Sequence, residues 1–126
     1  MQKAAILIVE DDPVLLNILC KIVENGGYVP LPARNAVTAL DALRQASPSL
    51  ILEDISLPDL NGVDLVACIR RIPGYEAIPV IFLSASSERI AAARFSGESL
   101  NEYMTKPLKP AQLLIAISTM LATSTH

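Results

Sequence analysis

The sequence predicts a one-domain α/β protein, residues 1–126, with a parallel five-stranded sheet covered by helices on both faces. The first observation is an alternation of short, β-branched apolar runs with amphipathic helical patterns, five of each. The second is composition: hydrophobic residues make up 52% of the chain and charged residues 18%, which suits strands buried on both faces. The third is that the connections are short, so that right-handed helical crossovers would join parallel strands.

The first strand and helix have clear boundaries in the sequence. The apolar run from Ala4 to Val9 predicts a buried strand. Asp12 followed by Pro13 is typical of a helix start, with an acidic N-cap and proline at the first helical position. Gly26–Gly27 predicts the end of that helix. We therefore interpret Asp12 as a helix cap rather than as a site residue.

The second strand and helix are predicted over 28–33 and 35–46. Two prolines interrupt the strand pattern "YVPLPA", which places it at an edge of the sheet. The helical pattern predicts Val37, Leu40 and Leu43 on the buried face. Further strand patterns lie at 49–54, 78–85 and 102–105, and further helical patterns at 64–72, 87–95 (ending near Gly97) and 110–121.

Composition excludes several functional classes. The formal net charge of −3 disfavours binding to nucleic acid. No apolar run approaches the ~20 residues of a membrane span, and no signal peptide is recognisable, so we expect a cytoplasmic protein. Cys20 and Cys68 lie in apolar helical patterns and are expected to be small buried hydrophobes. The only histidine is His126, so zinc sites and histidine-based triads are disfavoured.

Polar side chains stand where the predicted strands end. Glu10 and Asp11 follow the first strand, Asp54 ends the third, Ser84 ends the fourth, and Lys106 follows the fifth. Ligands of open parallel sheets bind outside the carboxyl ends of the strands, where the strand order reverses. These five side chains are therefore candidates for one site.

The charges of this predicted site suggest its chemistry. Three carboxylates near one another repel, and Lys106 supplies only one positive charge, so a divalent cation would meet the deficit. Oxygen ligands without His or Cys favour a hard ion such as Mg²⁺. Asp54 then has the character of a nucleophile that forms an aspartyl-phosphate, with Ser84 and Lys106 binding the phosphoryl oxygens.

Four segments resemble the receiver domains of two-component response regulators: "ILIVEDDP", "ILEDISLPDLNG", "PVIFLSA" and "EYMTKP". The resemblance covers essentially the whole chain, and the spacing of Asp11, Asp54, Ser84 and Lys106 agrees with it. It implies a flavodoxin-like (βα)5 sheet with strand order 2-1-3-4-5.

The resemblance also implies residue roles. Glu10, Asp11 and Asp54 would form the Mg²⁺ pocket, which the backbone carbonyl of Ser56 completes. Asp54 would accept a phosphoryl group from the phosphohistidine of a sensor histidine kinase or phosphotransfer protein. The chain would catalyse only its own phosphotransfer and dephosphorylation.

The remaining implied roles concern signalling. Ser84 would bond the phosphoryl group, and Lys106, preceding a cis Pro107, would pair with it. Tyr103 matches the aromatic switch that rotates when Ser84 moves, although an aromatic in an edge strand often only packs. The face formed by the fourth helix, fifth strand and fifth helix would then carry the signal to partners, or form a homodimer.

The sequence leaves a second function open and disfavours a third. Glu53 stands where the family usually has an apolar or small residue; it would face away from Asp54 and need solvent or a Lys or Arg partner. Such a departure leaves room for a receiver-like interaction domain that works without phosphorylation. A phosphohydrolase with an aspartyl intermediate is disfavoured, because Ser56 stands where such enzymes tend to place a second acid.

Overall fold

A computed structural model describes residues 3–95 and 101–124 of the chain. Strands and helices alternate: β1 Ala5–Val9, α1 Pro13–Asn25, β2 Val29–Ala33, α2 Ala36–Gln45, β3 Leu50–Asp54, α3 Gly62–Ile69, β4 Val80–Ser84, α4 Ser87–Phe95, β5 Asn101–Thr105 and α5 Pro110–Ser124. Within the described residues, no helix is both long enough and apolar enough to cross a bilayer.

The five strands form one parallel sheet in the order β2-β1-β3-β4-β5. This order confirms the predicted fold class. The chain runs outward from β1 to β2 and then returns to place β3 on the other side of β1. The order therefore reverses between β1 and β3, and their adjacent carboxyl ends border the crevice where a ligand is expected.

Apolar clusters cover both faces of the sheet. Because side chains alternate along a strand, Leu50 and Leu52 of β3 face one cluster, which includes residues of α1 and α5. Ile51 of the same strand faces the other cluster, which includes residues of α2 and α3. The two clusters pack against both faces of the strands, and this packing positions the residues at the strand ends.

The helix boundaries agree with the sequence at α1 and differ at α3. Asp12 caps α1, its Oδ1 accepting a hydrogen bond from the Val14 amide at 3.0 Å. Helix α3 begins before the predicted residue 64, because Asn61 caps it through the Val63 amide at 2.8 Å. It also ends before the predicted residue 72, at Ile69. The predicted end of α4 near Gly97 lies outside the described residues.

Two predictions of burial in the helices were wrong. Val37 is 64% exposed, because α2 turns Ala36, Ala39 and Leu43 toward the sheet instead. Cys68 is exposed, and Cys20 is half-buried; both are free thiols. Each prediction assumed that any apolar residue in an amphipathic pattern lies on the buried face. His126 lies outside the described residues.

Candidate functional site

Three carboxylates meet at the carboxyl ends of β1 and β3. One carboxylate oxygen from each of Glu10, Asp11 and Asp54 lies within 4.8 Å of the others; these residues are called the acidic cluster below. The carboxylates lie close together because Val9 pairs with Glu53 in the parallel sheet. This pairing places the residues that follow β1 beside the end of β3. Glu10 and Asp54 are buried and Asp11 is exposed, so the cluster is open to solvent on one side.

Lys106 reaches the acidic cluster from the end of β5. Its Nζ donates hydrogen bonds to Glu10 Oε1 at 2.8 Å and to Asp54 Oδ2 at 2.6 Å. Its backbone amide donates to the Ser84 carbonyl at 2.9 Å, which ties the start of this loop to β4. The Lys106–Pro107 peptide bond is cis, as predicted. The Lys106 ammonium thus pairs with two of the three carboxylates of the acidic cluster.

Burial and charge shift the pKa values of two residues here. Burial raises the pKa of Glu10 to about 7, the hydrogen bond from Lys106 opposes this, and the charge of Asp54 adds to it. Burial by itself lowers the pKa of Lys106, but its ion pairs with Asp54 and Glu10 outweigh burial and raise that pKa. Lys106 therefore stays charged, while Glu10 resists ionisation. A set of oxygen ligands with excess negative charge fits a hard divalent cation such as Mg²⁺.

Asp54 is anchored through both carboxylate oxygens. Oδ1 accepts a hydrogen bond from the Ser56 amide at 2.8 Å, and Oδ2 accepts the bond from Lys106. Ser84 stands on the adjacent strand, one residue beyond Leu83, the register partner of Asp54. The Ser84 Oγ accepts a hydrogen bond from the Ser86 amide at 3.0 Å. All the predicted site residues except Tyr103 therefore belong to this end of the sheet.

Tyr103 lies apart from the acidic cluster, in the middle of β5. Its ring stacks on that of Phe82, with the centroids 5.4 Å apart and the planes at 19°. The two residues are register partners, so this stacking joins β4 to β5. The Asn101 side-chain amide donates a hydrogen bond to the Tyr103 oxygen at 3.3 Å. A switching role for this side chain stays a prediction.

Residues 6–118 match the family described as the response regulator receiver domain. The chain belongs to this family. Receiver domains are signalling domains rather than enzymes in the usual sense.

Individual relatives agree with this membership. The receiver domain is 35% identical over 112 residues to a 14.6 kDa protein encoded in the sodA1 3' region of Leptolyngbya boryana, covering 86% of this chain and 83% of that protein. It is 30% identical over 116 residues to the phosphate regulon transcriptional regulatory protein of Escherichia coli. That match covers 92% of this chain but 51% of the relative, so the chain spans about half of that regulator's length.

A solved structure shows the same fold. The signal receiver domain of a signal transduction histidine kinase from Syntrophus aciditrophicus superposes with a TM-score of 0.84 at 29% identity. The match covers 98% of this chain and 93% of the other. The receiver fold therefore accounts for essentially the whole sequence, in agreement with the resemblance carried by its four motifs.

Glu53, the neighbour of Asp54, differs from expectation. It was expected to reach solvent or a Lys or Arg partner, yet it is fully buried, and neither carboxylate oxygen has a hydrogen-bond partner. Burial raises its pKa well above the ordinary value, the charge of Asp54 adds to the rise, and the charge of Arg70 opposes it. This receiver domain therefore has, beside the proposed phosphoacceptor, a core carboxyl group whose burial disfavours the ionised form.

Asp59 is a residue that the sequence analysis missed. Its Oδ1 accepts a hydrogen bond from the Ala36 amide at 2.9 Å, and its Oδ2 accepts one from Val37 at 3.2 Å. The sequence signal was weak, since an acid after proline in a turn is common. Its partners are 23 and 22 residues away in the chain, so only the tertiary structure shows what it binds.

Proposed function

We propose that this receiver domain, extending over residues 1–126, accepts a phosphoryl group on Asp54. The donor would be the phosphohistidine of a sensor histidine kinase or of a phosphotransfer protein. One observation carries the proposal: Asp54 ends a central strand with its carboxylate held between the Ser56 amide and the Lys106 ammonium, beside two further acids. An aspartate that only caps a turn at the surface does not require a lysine partner and two neighbouring acids.

We propose that Glu10, Asp11, Asp54 and the backbone carbonyl of Ser56 hold Mg²⁺. The bound ion would supply positive charge that offsets the repulsion between the carboxylates and the incoming phosphoryl oxygens. Support comes from the clustering of the three carboxylates and from the charge deficit that Lys106 leaves.

The side chains around Asp54 suit each part of the transfer. An Asp54 oxygen attacks phosphorus, the phosphorus–nitrogen bond of the donor breaks, and its electron pair returns to the histidine ring. Lys106 exchanges its ion pair with Asp54 for one with a phosphoryl oxygen. The Ser84 Oγ accepts a hydrogen bond from the Ser86 amide. This bond does not use the hydroxyl proton of Ser84, so that proton can be donated to the phosphoryl group.

An apolar patch beside the acidic cluster supports docking of a protein donor. Val14 and Ile18, one turn apart on α1, are 68% and 48% exposed. Helix α1 begins directly after Asp11 and Asp12, so these two side chains lie in the first turns of the helix that follows the cluster. Exposed aliphatic side chains in this position suit a partner helix that presents its histidine to Asp54.

The signal would leave through the face formed by α4, β5 and α5, either to a partner or to a homodimer. Ser84 and Tyr103 lie on neighbouring strands, and α5 presents Ile115, which is 66% exposed. A cytoplasmic location is part of the proposal, since the free thiols of Cys20 and Cys68 suit a reducing compartment.

Intact-protein mass spectrometry tests the proposal. After incubation with Mg²⁺ and acetyl phosphate, the wild type should gain the mass of one phosphoryl group, and Asp54→Asn should gain none. Asp41→Asn makes the same charge change on an exposed α2 carboxylate and should behave as the wild type. No mass gain in the wild type would favour the phosphorylation-independent interaction domain. An equal gain in Asp54→Asn would mean that another residue, and not Asp54, accepts the phosphoryl group.

A further inference from the structure

The loop that follows Asp54 is closed at its base. The Gly62 amide donates to the Ile55 carbonyl at 2.7 Å, and Ser56 and Asn61 form an antiparallel bridge. This 56–61 loop carries Ser56, whose carbonyl is proposed as a metal ligand. These contacts hold the two ends of the loop together, but they do not set the direction in which its tip points.

Asp59, near the tip, binds a different element. Its two oxygens accept hydrogen bonds from the amides of Ala36 and Val37, the first two residues of α2. Amides in the first turn of a helix have no partner within the helix, so an outside carboxylate is a favourable acceptor for them. Asn35 caps the same helix end, its Oδ1 accepting hydrogen bonds at 2.8 Å from both the amide and the hydroxyl of Thr38.

The end of β2, just before α2 begins, is hydrogen-bonded to the segment that carries Glu10 and Asp11. The Glu10 amide donates to the carbonyl of Ala33, the last residue of β2, at 3.0 Å. Open space separates the segments that carry Asp11, Asn35 and Pro58. These residues help to line a groove of about 590 Å³. Side-chain packing does not fill this space, so hydrogen bonds set the distance across it.

We infer that Asp59 is a positioning residue for the metal site. By binding the first amides of α2, it holds the 56–61 loop at a set distance from Glu10 and Asp11 and so directs the Ser56 carbonyl toward the acidic cluster. The inference rests on the proposed function, because it needs the acidic cluster to hold a divalent cation.

Binding of Mn²⁺, used as a paramagnetic substitute for Mg²⁺ and measured by electron paramagnetic resonance on the full chain, tests the inference. Asp59→Ala should weaken Mn²⁺ binding by about tenfold, as loss of residues that orient metal ligands commonly does. Asp59→Asn keeps one acceptor oxygen and should fall between Asp59→Ala and the wild type. Asn35→Ala, which removes an acceptor from the same helix end, and Asp41→Ala, which removes a carboxylate from α2, should bind Mn²⁺ as the wild type does.

The controls separate the possible outcomes. Equal losses of Mn²⁺ affinity in Asp59→Ala and Asn35→Ala would overturn the inference, because the effect would then belong to the stability of α2. Wild-type affinity in Asp59→Ala would overturn it directly. Should thermal unfolding show Asp59→Ala to be unfolded, Asp59→Asn decides in its place. If the wild type binds no Mn²⁺, the inference and the proposed metal site fail together. If Mn²⁺ binds as expected but Asp54 is never phosphorylated, only the proposed phosphotransfer fails.

Discussion

At the scale of single residues, Glu53 and Asp54 show how one strand gives two adjacent acids opposite environments. Successive side chains of a strand point to opposite faces of the sheet. Asp54 therefore reaches the acidic cluster, and Glu53 points toward the face packed by α2 and α3, where its oxygens have no hydrogen-bond partner. A buried polar group without a partner is unfavourable, so Glu53 weakens the fold at its position.

Replacing this carboxyl with an apolar side chain should stabilise the protein. Glu53→Leu is expected to raise the free energy of unfolding by about 1–3 kcal/mol at neutral pH, because it removes a desolvated polar group from an apolar site. Urea denaturation followed by circular dichroism measures the change. A loss of stability would show that the Glu53 side chain makes a favourable interaction in this site.

The stabilisation should also depend on pH. In the unfolded chain Glu53 loses its proton above about pH 4.5, whereas burial raises its pKa in the folded protein well above that value. The unfolded state then binds fewer protons, so this residue makes the wild type less stable as pH rises from 4.5. The advantage of Glu53→Leu should be larger at pH 7.5 than at pH 5. Glu53→Gln, which cannot titrate, should show the same trend, and an advantage independent of pH would contradict the assigned shift.

At the scale of elements, the start of α3 depends on a close approach that only glycine allows. A Cβ at Gly62 would lie 2.6 Å from the Asp54 carbonyl oxygen, 2.7 Å from Glu53 Oε2 and 2.9 Å from the Ile55 Cα. Two of these three atoms belong to the backbone of β3 and its continuation. The helix therefore packs directly on the strand that carries the proposed phosphoacceptor.

Two effects oppose each other in Gly62→Ala. Alanine favours a helix over glycine by ~1 kcal/mol, whereas forcing a methyl group against fixed backbone costs ~1–3 kcal/mol. We expect the clash to exceed the helix preference, so that thermal unfolding occurs at a lower temperature and phosphorylation of Asp54 slows.

Gly27→Ala is the matched control for this prediction. Gly27 has φ of +92° and no neighbouring atom within 4 Å of the added Cβ, so its replacement should reduce stability through backbone strain alone. Its rate of phosphorylation should stay that of the wild type. Equal slowing in both variants would mean that lower stability, rather than the contact at β3, causes the effect.

At the scale of the whole molecule, the site joins segments that are far apart in sequence. Lys106 pairs with Glu10 across 96 residues and with Asp54 across 52. A cation bound by the acidic cluster would therefore connect the ends of β1 and β3, and stabilise the folded chain over the unfolded one by mass action.

Mg²⁺ should raise the thermal midpoint more at pH 8 than at pH 6. The pKa of Glu10 is raised to about 7, so at pH 6 this carboxyl mostly carries a proton that a metal ion would have to displace. Differential scanning calorimetry with increasing Mg²⁺ at both pH values measures the effect, and Glu10→Gln should reduce its pH dependence. An equal shift at pH 6 and pH 8 would contradict the role of Glu10 as a ligand.

Much of the fold followed from local patterns. The order of elements, the Asp12 cap and the proline-containing edge strand were all predicted, because they depend on residues close together in the chain. The face of α2 was misjudged at Val37, and α3 was placed two residues late, because the sheet decides which side of a helix is buried and where a helix can begin.

The sequence by itself determined which residues stand at the strand ends, and therefore the composition of the acidic cluster and its single lysine. Only the tertiary structure decided that Glu53 lies in the core without a hydrogen-bond partner and that Asp59 binds the start of α2. The physical reason is that strand and helix patterns arise from neighbours in sequence, whereas the partner of a polar group depends on which distant segment packs beside it.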